Sequence, residues 1–167
     1  MNHETFTIRR AQVSDVEVIM EIYNEAILTT TATFDLEPKT YDDRLKWFAS
    51  HDDRHPVLVA EVDGDVVGWA CLSEWNSRCA YADTAETSFY VKADHRGKGI
   101  GRQLKAAIIE EARRLKFRTL IAGTAEGSDV SLHLNKSFEF EVVGTFKDVG
   151  RKFGKLLSVT YLQEFLD

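Results

Sequence analysis

Residues 91–102 read Val-Lys-Ala-Asp-His-Arg-Gly-Lys-Gly-Ile-Gly-Arg. Glycines at 97, 99 and 101 free the backbone to turn its N–H groups outward and let a ligand approach closely. The helix that the following pattern predicts would add partial positive charge at its first turn, and Arg96, Lys98 and Arg102 add side-chain charge. Together these features predict a phosphate-binding turn. The segment lacks the GxxxxGK[ST] of a P-loop. Its glycines are spaced GxGxG rather than GxGxxG, and the unit comes late in the chain, which argues against a dinucleotide site. A bare glycine cluster would read as a tight turn, but the three basic residues and the flanking strand and helix favour an anion site.

Other residues offer less chemistry. His51 and His55 have helical spacing, but no Glu lies between them, and Asp52, Asp53 and Arg54 suggest a solvated helix end, so no metal is expected. Cys71 and Cys79 form no CxxC and have no histidine near them in sequence, so an acyl relay through either ranks low and both read as reduced thiols. The 167 residues, 44% hydrophobic and 29% charged, fit one soluble domain spanning 1–167. A formal net charge of −6 argues against nucleic acid as the main partner. MNHETFTIRR has no apolar h-region and no run is long enough to span a membrane, so the expected location is the cytoplasm.

The elements that must position the turn can be read from periodicity. Residues 5–9 alternate around Phe6 and Ile8 as a strand. Ser14 and Glu17 have capping-box spacing, and Val16, Ile19, Tyr23 and Ile27 form the buried stripe of a helix. Residues 29–34 read as a loop, and a second helix from Thr40 carries Leu45, Trp47 and Phe48. Strands are expected at 57–62 and 66–72 around an Asp63-Gly64 hairpin, and at 86–92. A helix at 100–115 shows Ile100, Leu104, Ala107, Ile108, Ala112 and Leu115 on one face. A strand at 119–123, a short helix at 128–136 and strands at 142–149 and 156–165 around a Gly150–Gly154 turn complete the chain. The unit 86–92, 100–115, 119–123 points to parallel or neighbouring strands in one mixed α/β sheet.

Arg96-Gly-Lys-Gly99-Ile-Gly101 resembles the RxxGxG pyrophosphate loop of the GNAT acetyltransferase superfamily. The segments 22–26 (Ile-Tyr-Asn-Glu-Ala), Thr33-Phe34, Glu37-Pro38, Ala80-Tyr81, 84–91 and 149–154 resemble its phosphinothricin and L-amino acid N-acetyltransferase subfamily. The likeness covers residues 7 to 165. It implies a V-shaped mixed sheet of about 6–7 strands flanked by about 4 helices, with acetyl-CoA between splayed fourth and fifth strands. It also implies transfer of acetyl to the α-amine of an amino-acid-like substrate, without a metal, by a homodimer.

The resemblance implies roles. Gly97, Lys98, Gly99, Ile100, Gly101 and Arg102 would hold the pyrophosphate through their backbone amides, beside Arg96. An amide along Phe89, Tyr90 and Val91 would serve the thioester oxygen. Acetyl transfer needs a base for the substrate ammonium and benefits from an acid for the thiolate. Glu86 is the expected base and His133 the expected acid. Arg78 would pair with the substrate carboxylate, and Phe34 and Tyr81 would wall its side chain.

Three departures stand out. The loop 123–129 lacks the usual Asn-x-x-Ser, leaving Asn135 as a replacement contact to pantetheine. Ser137 stands where a glycine is usual, and Asn76 where a second arginine is. A polyamine, an aminoglycoside or a protein N-terminus as acceptor, and a non-catalytic acetyl-CoA sensor, remain the rival readings.

Overall fold

The computed structural model describes residues 5–166. Strands β1 (Phe6–Arg10), β2 (Val57–Val62), β3 (Asp65–Glu74), β4 (Thr84–Val91), β5 (Thr119–Ala125), β6 (Glu141–Lys152) and β7 (Lys155–Phe165) make one sheet in the order β1-β2-β3-β4-β5-β7-β6. Helices α1 (Val16–Thr29), α2 (Tyr41–Ala49), α3 (Ile100–Arg114) and α4 (Asp129–Ser137) flank it. All pairings are antiparallel except β4 with β5.

That exception shapes the molecule. β4 and β5 pair at only three positions, Thr84↔Thr119, Ala85↔Leu120 and Glu86↔Ile121. Beyond Glu86, β4 stays on β3 as far as Gly68↔Val91, and β5 stays on β7 as far as Ala125↔Val159. The sheet therefore opens into a V after Glu86. Along residues 87–91 the backbone groups that would have met β5 face the opening instead.

Apolar patterning built this frame where it was legible. Ile19, Ile22, Tyr23 and Ile27 of α1 pack with Val57, Val59, Trp69 and Cys71 on one side of the sheet, and Val16 is fully buried. Leu104, Ile108 and Ala112 of α3 are fully buried on the other, against Leu58, Leu72, Leu120 and Leu162. Each such Leu or Ile removes enough apolar surface to stabilise the fold by about 1.5–3 kcal/mol. The Asp63-Gly64 hairpin has positive φ at both residues, 51° and 85°, as a tight primed turn requires.

Several expectations are corrected. Ser14 does not cap α1; it lies in a 3₁₀ turn, and Asp15 accepts from the Gln12 N–H at 2.7 Å. Helix α2 carries Trp47 and Phe48 partly buried against the core, and its buried side chain is Arg44. Its guanidinium stacks 3.7 Å from the Trp47 ring and 4.4 Å from that of Tyr23, a place open to a planar, weakly hydrated cation. Gly150 is not in the turn. β6 runs to Lys152, and the reversal is Phe153-Gly154, with φ of 52° and 73°. The left-handed residue after α4 is Glu139 (φ 70°), whereas Ser137 is helical.

The loop after α1 is held against the end of β6. Lys152 is buried and its Nζ donates to the Thr33 carbonyl at 2.7 Å. Tyr23 Oη bonds Thr33 at 2.9 Å and donates to Asp35. The Phe34 ring lies over Gly150, where a β-carbon would overlap it.

Candidate active site

The turn between β4 and α3 has the geometry that its glycines imply. Gly97 and Gly99 have φ of 77° and 85°, which side-chain-bearing residues rarely adopt. Gly99 is the N-cap of α3. The first bond of the helical ladder runs from the Gln103 N–H to the Gly99 carbonyl at 3.1 Å. The amides of Ile100, Gly101 and Arg102 thus precede the ladder and sit at the positive end of the helix. Gly101 serves packing: a β-carbon there would come 3.2 Å from the Phe89 ring, so its absence brings α3 onto β4.

The basic residues divide their work. Arg96 braces the turn, its Nε donating to the Val91 carbonyl at 3.1 Å and its Nη2 to Glu25 at 3.2 Å. Glu25 also accepts from the Ala93 N–H at 3.0 Å. Arg102 reaches across to α4, donating to Ser137 Oγ at 3.1 Å over the Phe138 ring. Lys98 is exposed, and Ile100 is buried, so Ile100 offers the site only its backbone.

A cleft of about 1310 Å³ starts at this turn, lined by Gly97, Gly99, Gly101 and Arg102, and runs along Phe89–Val91 between the loop after α1 and the first half of α4. A smaller cavity of about 120 Å³ continues into the V, lined by Glu86–Tyr90, Lys105, Ala122–Ala125 and Asn135. Phe89, Tyr90, Ala32, Ser128 and Ser131 border both, so the two form one path from the glycine turn to Glu86. A mouth of free helix-terminal amides, an apolar corridor and a polar end suit a long ligand with a diphosphate at one end.

Glu86 stands at the last paired position of β4, where the V opens. Burial holds its carboxyl above the ordinary carboxylate range. Tyr161 lies near enough for the Glu86 charge to help raise its phenol. The Tyr161 ring packs on Gly123 and meets the edges of Trp75 and Phe146, with centroids 5.7 and 5.9 Å away. These aromatic residues were not singled out from sequence, because strand aromatics ordinarily read as core.

His133 is not brought to Glu86. It is exposed on α4 and borders the wide cleft. Asn135, two residues and about 200° further round the helix, is 3% exposed and lines the cavity with Glu86. Its Nδ2 donates to Thr124 at 3.4 Å, and its buried Oδ1 has no partner in the protein. An orphaned buried carbonyl calls for a donor from a ligand or water, so the residues here fit the amide-bearing arm expected of the coenzyme. Arg78 and Tyr81 are exposed on the β3–β4 connection, and Phe34 packs on Gly150; none of the three lines the path. Burial pushes the Cys71 thiol up to about 11, so it stays protonated and serves as packing. Among the described residues no cluster of His, Cys, Asp and Glu is placed to hold a metal.

A family model described as "Acetyltransferase (GNAT) family" matches residues 19–140. The L-amino acid N-acyltransferase MnaT of Escherichia coli K12 is 40% identical over 162 residues, 96% of this chain and 94% of that one. An L-methionine sulfoximine/L-methionine sulfone acetyltransferase of Salmonella typhimurium is 39% identical over 162 residues, 96% and 95% of the two chains. A phosphinothricin acetyltransferase (Pat) from Sinorhizobium meliloti, solved in complex with acetyl-CoA, superposes with a TM-score of 0.94 at 32% identity, covering 97% of this chain and 89% of that one. Fold, phosphate turn and kinship agree: the chain belongs to the GNAT acetyltransferase family and is an acetyl-CoA-dependent N-acetyltransferase.

Proposed function

We propose that this protein acetylates the α-amine of a small amino-acid-like substrate of the methionine sulfoximine, methionine sulfone or phosphinothricin type. The observation that carries this is the unbroken path from the Gly97–Arg102 amides to Glu86. The relatives named above act on substrates of that kind. The bound coenzyme supplies an activated acyl carbonyl.

The chain's own groups do the rest. The amides at Gly97–Arg102 and the Arg102 side chain hold the diphosphate. A gap-facing N–H within Phe89–Val91 donates to the acyl oxygen. Glu86 takes the proton that the substrate ammonium must lose before attack. Its raised carboxyl makes the carboxylate a stronger base than a solvated one. Trp75, Tyr161 and Phe146 wall the amine side near Glu86, and Arg78 on the β3–β4 connection offers a bidentate partner for the substrate carboxylate. His133, expected as the acid, is exposed and borders the wide cleft rather than the Glu86 cavity. The homodimer reading is supported by β6, an edge strand that exposes Val142, Val143, Phe146 and Val149, an apolar row that a partner would cover.

Thiol release from acetyl-CoA, measured against methionine sulfone, methionine sulfoximine, phosphinothricin, spermidine and kanamycin, tests the substrate class. One of the three amino-acid analogues should give the highest kcat/KM. Turnover confined to spermidine and kanamycin would reject the substrate assignment while keeping the enzyme class. Light scattering at micromolar concentration should give twice the 19.0 kDa chain mass.

A further inference from the structure

Lys105 is the most deeply buried polar side chain among the described residues, 1% exposed. It projects from α3 into the wall of the same cavity that holds Glu86 and Asn135. Its Nζ donates to Thr87 Oγ1 at 2.7 Å and sits 4.1 Å from the centre of the Phe140 ring. One hydroxyl and one ring face are few partners for an ammonium with three donors. The fold carries a charge at the end of the ligand path, where an apolar residue would have packed more easily. The charged group acting on it is Glu164 of β7, which lies 3.5 Å from Arg113 and also feels Glu139; Glu86 lines the same cavity. Burial lowers the Lys105 ammonium to about 7, so the group exchanges protons near neutrality.

We propose that Lys105 is the proton donor for the departing coenzyme sulfur. The proposal rests on acetyl-CoA occupying the path described above. The amine nitrogen forms its bond to the acyl carbon, and the carbon–sulfur bond breaks with its electron pair going to sulfur. The sulfur takes a proton from Lys105 Nζ. Both protons shed by the substrate ammonium leave through Glu86: one reaches bulk water, and one, by way of water, replaces the proton that Lys105 gave. Thr87, which accepts from Nζ, positions the lysine.

The test uses Lys105→Met, close in volume and without charge, and Lys105→Gln as a second variant should the first fold poorly. At pH 7 each should lose about 10² or more in kcat, while KM for acetyl-CoA stays within about twofold. The wild-type kcat should fall on the alkaline side through an apparent pKa near that of the lysine, and that limb should vanish in the variants. A readout independent of turnover is calorimetric binding of coenzyme A against desulfo-coenzyme A. The wild type should favour the thiol-bearing ligand, and the variants should bind both alike.

If both ligands bind and neither the preference nor the alkaline limb changes in the variants, Lys105 is not the donor and the acetyltransferase reading stands. If neither ligand binds the wild type, the placement of the coenzyme fails and takes this proposal with it. Acetylation of Lys105 itself on incubation with acetyl-CoA, seen by peptide mass, would make it an acceptor and overturn the donor role.

Discussion

The two ends of the ligand path are built from different materials. At the glycine turn the groups we propose for the diphosphate are backbone amides, and one contiguous stretch of chain supplies them all. At the other end the working groups are side chains, with Glu86 and Thr87 from β4, Lys105 from α3, Thr124 from β5 and Asn135 from α4 converging on one small cavity. An amide cradle needs only the right φ angles and a helix behind it. A side-chain cluster needs the strand splay, two helix orientations and the burial of several polar groups to agree at once. Binding at the first end should therefore fail through local backbone changes, and chemistry at the second through single functional groups, with little crossover between them.

The largest expected effect is at the chemical end. Glu86→Gln should lower kcat by about 10²–10⁴ and leave the affinity for coenzyme A within about threefold, measured by steady-state kinetics and calorimetry. Because burial raises the Glu86 carboxyl, its basic form is lost as pH falls through a pKa above the usual 4.5. The wild-type kcat/KM should show that acid limb displaced upward, and Glu86→Gln should lack it. Raised carboxyls also cost folding stability above their pKa, so Glu86→Gln should melt no lower than the wild type at pH 7. A clear drop in melting temperature would mean that Glu86 is structural and would blur the contrast between the two ends.

The glycine turn gives the next effect. Gly99→Asp puts a carboxylate beside the amides and a β-carbon on a residue at φ 85°. The dissociation constant for coenzyme A should rise at least about tenfold, against a stability loss of about 1–3 kcal/mol for the strained backbone. Unchanged affinity in a folded variant would remove the turn from the binding site.

A smaller effect tests the loop after α1. Gly150→Ala forces the Phe34 ring from its seat and should cost about 1–3 kcal/mol, read from denaturant unfolding, with kcat altered less than fivefold at saturating substrate (about 1 kcal/mol). The smallest is a gain. Lys105→Met relieves a buried charge and should melt about 2 °C or more above the wild type at pH 7. Lys105 is depressed from 10.5 to about 7 in the fold, so the unfolded chain binds the extra proton between those values and wild-type stability rises with pH there. The difference from Lys105→Met should narrow as pH climbs from about 7 toward about 10.

Much of the fold was legible because it depends on local periodicity. The apolar stripe of α1, the Asp63-Gly64 turn and the six-position face of α3 all lie where the pattern put them. What was not legible is which polar side chains of a helix turn inward. Arg44 and Lys105 sit at core-facing positions of their helices, a placement their charge does not announce, since long cationic side chains usually keep their heads in water. On α4, helical rotation gives the inward position to Asn135, while His133 borders the wider cleft.

By itself the amino-acid sequence determined the glycine turn between a strand and a helix, the order of strands and helices, and the family, because glycine spacing, hydrophobic period and family motifs are properties of neighbours along the chain. Only the tertiary structure decided that β4 and β5 part after Glu86, that Asn135 and Lys105 rather than His133 share the cavity with that carboxylate, and that Tyr161, packed against Trp75, lies near it. These are meetings of residues far apart in sequence, fixed by how sheet and helices pack, and no local pattern encodes which side chains then face one another.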